Sequence, residues 1–126
     1  MSVVLDSSAV LALLWLERGH PEVASILGGS LLSAVNFAET LAKISDRGID
    51  GPDTRLRLMQ LPVTIFPFNS RQAELSGALR PLTRRRGLSL GDRACLALAM
   101  AERAAVVTAD RTWLDLGLDI EIRCIR

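Results

Sequence analysis

Tyrosine is absent from the 126 residues, and the chain holds a single His, a single Lys and two Cys. With His20 as the lone imidazole, few general-base candidates exist outside the carboxylates. Cys95 lies in an apolar run and Cys124 near the end of the sequence, with no CxxC pair. This is not the dense cysteine framework of small secreted domains, and it points to a reducing, cytoplasmic setting. Long apolar runs are missing too. Ala94–Ala101 is an unbroken apolar stretch, far short of the roughly 20 residues a bilayer requires, so a buried helix is expected and no membrane span. Ala9–Leu16 follows an acid, Asp6, with no Lys or Arg before it and no small-residue cleavage site after it, so no targeting segment is expected.

The formal net charge of +1 announces no partner by itself. Its distribution says more: residues 1–60 carry five basic and seven acidic side chains, residues 61–126 ten and seven. A positive surface should therefore come from the second half. Its cations are all Arg, which suits bidentate phosphate contact. A GC-rich genome would favour Arg equally.

Apolar residues make up 49% of the chain, enough for one domain spanning 1–126 with a substantial core. Short apolar or β-branched runs fall at Val3–Leu5, Leu31–Ser33, Val63–Phe66, Ala105–Thr108 and Ile120–Ile125. Between them the pattern predicts helices near Ser8–Leu16, Pro21–Leu27, Ala34–Asp46, Asp53–Gln60, Arg71–Arg80 and Asp92–Arg103. Gly and Pro, including Pro81 and Gly87, punctuate their ends. Alternating strands and helices, with strands apolar throughout, describe an α/β fold whose parallel sheet is covered on both faces. Ligand sites in such sheets gather beyond the carboxyl ends of the strands, where strand order reverses.

Four carboxylates fall near that rim. Asp6 directly follows the first predicted strand and Asp110 the fourth. Asp92 opens the helix whose body is Ala94–Ala101, and Glu39 lies about a turn and a half into the helix after the second strand. Carboxylates that converge repel one another unless cations neutralise them. An all-oxygen donor set favours Mg²⁺ or Mn²⁺ over Zn²⁺. Metal held there could polarise a phosphoryl oxygen and activate water, which makes phosphodiester hydrolysis the natural chemistry. Each acid also has an ordinary explanation. Asp6 and Asp110 could cap the helices they precede, Ser89 and Asp92 read as a capping box, and Glu39 could belong to a solvated helix face.

The segments Val3-Val-Leu-Asp6-Ser-Ser-Ala-Val, Ser33-Ala-Val-Asn36-Phe-Ala-Glu39, Leu88-Ser-Leu-Gly-Asp92-Arg-Ala-Cys and Val107-Thr108-Ala-Asp110-Arg-Thr-Trp113 resemble, in order and spacing, the four motifs of PIN domains. Among these they are most similar to VapC toxins of toxin–antitoxin pairs, and the resemblance covers essentially the whole chain. It implies a three-layer α/β/α sandwich with a central five-stranded parallel sheet. It further implies Mg²⁺- or Mn²⁺-dependent endoribonuclease activity, a homodimer, and inhibition by a VapB-type antitoxin. Asp6, Glu39, Asp92 and Asp110 fall on the family's acidic quartet. Ser7 and Thr108 fall on its small hydroxyl positions, and Asn36 where a polar residue accompanies the Glu. Asp115 could join as an outer ligand or stay on the surface.

Arg84, Arg85, Arg86, Arg93 and Arg111 adjoin these motifs and are the candidate contacts to RNA phosphates, with a solvated helix end or local salt bridges as the ordinary alternative. Leu13–Leu16 could present a strip for an antitoxin helix or be buried under the chain's own helices. Two rival readings, one an enzyme and one a regulatory module, fare worse. A haloacid-dehalogenase-like phosphatase wants a second Asp where Ser8 stands. A receiver-like module wants an acceptor Asp after the third strand, where Pro67 stands, and a late Lys, whereas the only Lys is Lys43. A housekeeping PIN nuclease without an antitoxin, or a non-catalytic binding module, stays open.

Overall fold

The computed structural model describes residues 2–48 and 51–126. Five parallel strands, β1 (Val3–Leu5), β2 (Ser30–Ser33), β3 (Val63–Phe66), β4 (Ala105–Thr108) and β5 (Ile122–Cys124), form one sheet in the order β3-β2-β1-β4-β5. Between them run α1 (Ser7–Leu14), α2 (His20–Ile26), α3 (Ala34–Asp46), α4 (Gly51–Gln60), α5 (Ser70–Thr83) and α6 (Leu90–Glu102). This is the predicted α/β/α sandwich.

The two faces of β1 show why its residues are apolar throughout. Val3 and Leu5 join a core with Leu11 and Leu14 of α1, Val23 of α2, Ile44 of α3 and Leu58 of α4. Val4 points the other way, into a core with Leu79 of α5, Leu96 and Leu98 of α6, and Trp113. Side chains alternate across a strand, so a strand buried on both faces shows no alternation in its sequence.

Order reverses between β1 and β4. The chain builds β1, β2 and β3 outward in one direction, then returns to lay β4 on the free side of β1, in the register Val3↔Ala105, Val4↔Val106 and Leu5↔Val107. The residues just past Leu5 and Val107 therefore sit side by side at the switch point. Asp6 keeps the pairing one step further, its backbone N–H donating to the Val107 carbonyl at 2.9 Å.

One predicted boundary moves substantially. Pro81 does not end α5, which continues to Thr83 and passes through a 3-10 turn at Arg84–Arg86 before Gly87, at φ +64°, stops it. Proline so close to a helix end removes only one backbone hydrogen bond. Burial of Leu79 and Thr83, with the Thr83 hydroxyl on the Leu79 carbonyl at 2.8 Å, holds the last turn in place.

Among the described residues, no helix is long and apolar enough to cross a membrane. Of the strip Leu13–Leu16, Leu14 is buried in the chain's own core, whereas Leu16 is 69% exposed.

Candidate active site at the strand switch point

Asp6 occupies the N-cap position of α1, yet its side chain caps nothing. Its Oδ2 instead accepts hydrogen bonds from the Ser8 hydroxyl at 2.6 Å and the Thr108 hydroxyl at 3.0 Å. Each hydroxyl is itself fixed from the far side. Ser8 Oγ accepts from the Ala109 backbone N–H at 2.9 Å, and Thr108 Oγ1 from that of Asp110 at 3.1 Å. This lattice ties the end of β1 to the end of β4 through side chains where the ladder stops. Ser8 is the member that motif reasoning overlooked. The signal available was its hydroxyl two residues after a buried strand-end acid.

Loss of that hydroxyl has a calculable consequence. Ser8→Ala leaves the Ala109 N–H without its partner and removes the shortest hydrogen bond to Asp6, which should cost about 1–3 kcal/mol of stability. A chemical denaturation curve with an unchanged midpoint would show that water or another group replaces Ser8.

Glu39 is half-buried, not part of a solvated face. Its Oε1 accepts from the Ser7 hydroxyl at 2.8 Å and the Asn36 side-chain amide at 2.9 Å. The same amide nitrogen donates to the Gly91 carbonyl at 2.9 Å, so Asn36 joins α3 to the first turn of α6. Gly91 is small for a reason: a Cβ built on it would fall on the Glu39 carboxyl group. The side-chain carbonyl of Asn36 is buried and unpartnered.

Asp92 is the third residue of α6 and completes a capping box. The Ser89 N–H donates to Asp92 Oδ2 at 2.9 Å, and the Asp92 N–H to Ser89 Oγ at 3.1 Å. Asp110 caps a 3-10 turn at Arg111–Asp115, its Oδ1 accepting from the N–H and hydroxyl of Thr112 at 2.9 and 2.7 Å. Capping and a position at the rim thus coexist in both residues. The capping readings hold for Asp92 and Asp110 and fail for Asp6.

The charges of the four acids are felt across the site. Burial raises Asp6 above the usual carboxylate range, against the hydrogen bonds from Ser8 and Thr108, and the charge of Asp92 adds to the rise. Asp6 is 5% exposed. Asp92 is raised as well, chiefly by burial and further by Glu39 and Asp110, while its bonds with Ser89 oppose the shift. The charge of Asp92 is thus felt by Asp6, and those of Glu39 and Asp110 by Asp92. Beneath them, burial and the fields of Asp6, Asp92 and Glu39 push the Cys95 thiol well above its ordinary value, which suits a core residue and not a nucleophile.

The donor chemistry fits a hard divalent cation: four carboxylates, two with protonation raised by crowding and burial, and neighbouring hydroxyls. The geometry is not closed. Among the described residues, no three His, Cys, Asp or Glu side chains are gathered tightly enough to ligate one ion as they stand. Each carboxylate is held by its own hydroxyl or amide partners.

The remaining candidates separate. Asp115 forms an exposed ion pair with Arg86 at 2.7 Å, the surface alternative of the two. Arg84 and Arg85 are exposed in the turn after α5. Arg93 is turned away from the rim toward α5, donating to the Ser76 carbonyl at 3.1 Å, with its Nε buried. It ties two helices together, a local role that its position beside Asp92 did not disclose. Arg111 donates to the Arg126 carbonyl at 2.9 Å.

Comparison with known proteins agrees with this architecture. None of the curated proteins shows a significant sequence match to the chain. Among solved structures, VapBC2 from Rickettsia felis, bound to a DNA fragment from its promoter, is similar over 100% of both chains, with a TM-score of 0.79 and 17% identity. DNA-bound VapBC from Salmonella typhimurium matches over 100% of this chain and 99% of that one, with a TM-score of 0.78 and 14% identity. VapC20 from Mycobacterium tuberculosis, a toxin that cleaves the sarcin–ricin loop, matches over 96% and 98%, with a TM-score of 0.73 and 14% identity. The model of the PIN domain family matches residues 3–117, nearly the whole length over which the sheet, the four acids and their hydroxyl partners are built, and the chain belongs to that family.

Proposed function

We propose that this chain is the toxin of a VapBC-type pair, an endoribonuclease that hydrolyses RNA phosphodiester bonds with a divalent cation held by Asp6, Glu39, Asp92 and Asp110. The observation that carries the reading is geometric: Asp6 and Asp110 end adjacent strands at the reversal point of a PIN sheet, Glu39 is held by Ser7 beside Asp6, and Asn36 ties its helix to Gly91 beside Asp92. Such a group is costly without a cation and useful with one. Similarity in fold to VapBC2, VapBC and VapC20 supports the toxin class, a VapB-type antitoxin as partner, and RNA as substrate. A homodimer of a single PIN domain, in the cytoplasm, completes the reading.

When bound, Mg²⁺ or Mn²⁺ supplies charge that polarises a phosphoryl oxygen and lowers the pKa of water. The side chains do the rest. Asp6 is held by Ser8 and Thr108 in one orientation, and Glu39 by Ser7 and Asn36. Asp92 and Asp110 would hold the ion with them, each placed at the rim by the turn that it caps. The site's own bases are carboxylates, so one of them would accept the proton of the attacking water.

Purified protein incubated with structured RNA should cleave it in Mg²⁺ or Mn²⁺ and stop on addition of EDTA. Cleavage that persists in EDTA would sink the metal assignment. Metal binding without cleavage of any RNA would leave a regulatory module.

A further inference from the structure

A groove of about 590 Å³ opens beside the acids and shares Ser8 and Asp110 with them. Trp15, Lys43, Arg111 and Arg126 line it, with Glu17 as its other acid. We propose that this groove seats the single-stranded RNA next to the scissile phosphate, with Lys43 contacting the backbone and the exposed part of Trp15 lining the path of a base. The proposal rests on the ribonuclease reading above and names the path of its substrate.

Three observations carry it. A phosphodiester approaching four carboxylates is repelled, so the strand needs compensating cations close by, and the groove supplies them. Arg126 is held by Glu17 at 3.1 Å and Arg111 by the Arg126 carbonyl, which fixes both guanidinium groups at the wall. Lys43 is exposed and, among the described residues, forms no ion pair. Second, Lys43 is four residues beyond Glu39 on α3, so the two side chains share a helix face about 6 Å apart along the axis. One helix thus offers an acid to the metal site and a cation to the groove, at the scale of a nucleotide step. Third, Trp15 is partly exposed at the end of α1 and lines the groove, packed on the core and held by the Arg47 guanidinium 4.0 Å above its ring. A tryptophan at the wall of a cationic track gives a passing base an apolar contact. The volume also suits a nucleotide-sized ligand.

The test is fluorescence anisotropy of a labelled single-stranded RNA of about a dozen nucleotides, in EDTA so that nothing is cut. Lys43→Glu should weaken binding at least about ten-fold, and Lys43→Ala should lower the log–log salt slope by about 0.7. Arg71→Ala removes the same charge from an exposed position at the start of α5 and should change neither. Bound RNA should quench tryptophan emission through Trp15, since Trp113 is 1% exposed, and Trp15→Leu should remove the quenching. In Mn²⁺ titrations the Lys43 variants should match the parental protein, and in cleavage assays they should raise KM more than they lower kcat. RNA affinity and salt slope indifferent to Lys43 would overturn the groove and leave it to a protein partner. An equal loss in Arg71→Ala would reduce the effect to net charge and overturn it as well. A parental protein that binds no RNA in EDTA and neither binds nor cleaves it in Mn²⁺ would bring down the ribonuclease reading itself.

Discussion

Asp6→Asn is expected to lower RNA cleavage by at least about 10³-fold, some 4 kcal/mol of transition-state stabilisation, while leaving the metal-free protein more heat-stable at neutral pH. The two effects share one cause. Asp6 is buried at the meeting point of β1 and β4, and its charged form is disfavoured there by desolvation and by Asp92. Asn keeps the shape, and its carbonyl oxygen can take over the hydrogen bonds from Ser8 and Thr108. The charge that binds the cation is gone, and so is the charge that strains the metal-free fold.

The pH dependence follows with a definite sign. A carboxyl raised in the folded state binds its proton more tightly folded than unfolded, so stability falls as pH climbs from the unfolded value through the folded one. Asp6 and Asp92 are both raised, so the metal-free parental protein should lose stability from about pH 4 upward. Asp6→Asn should flatten that decline, and the two proteins should converge in acid. Mn²⁺ at about 100 times its dissociation constant should restore about 2.7 kcal/mol to the parental protein and far less to the variant. Thermal melts across pH, with and without Mn²⁺, read all of this. Parental melts indifferent to both pH and metal would remove the electrostatic basis of the site.

Much of this was legible before any coordinates. Strand-end placement of Asp6 and Asp110 at one rim follows from apolar runs that stop at an acid, and the structure adds that β1 and β4 are neighbours in the sheet. The sandwich follows from strands with no polar alternation. Other features depend on contacts across the fold. Glu39 could not be told from a solvated residue, because the Ser7 hydroxyl that holds it comes from α1 and the Gly91 that leaves room for it from α6. The role of Ser8 needs the Ala109 N–H, about a hundred residues away in sequence. Arg93 looked like an RNA contact because it follows Asp92, yet adjacent helix residues face different ways, and this one meets α5. Pro81 was read as a stop because local rules carry no term for the burial of Leu79 and Thr83.

Gly91→Ala should separate stability from activity most sharply. By helix propensity the change is favourable, since Ala exceeds Gly by about 1 kcal/mol in a helix interior. Here the new Cβ would fall on the carboxyl group of Glu39, the far end of a flexible side chain and not a backbone atom. The acid can therefore retreat at little cost to the fold, and the midpoint of unfolding should move by no more than about 1 kcal/mol in either direction. What it surrenders is its position between Ser7, Asn36 and the first turn of α6. If Glu39 serves the cation as proposed, cleavage should fall about 10–100-fold and Mn²⁺ affinity should weaken with it. Glu39→Asp alone should also lose activity, because the shorter acid cannot reach. The double variant Gly91→Ala/Glu39→Asp should be no worse than Gly91→Ala, since the shorter side chain no longer meets the added methyl group. That coupling distinguishes a collision with Glu39 from a general disturbance of α6. Strictly additive losses would place the effect of the methyl group elsewhere and free Glu39 from any dependence on Gly91.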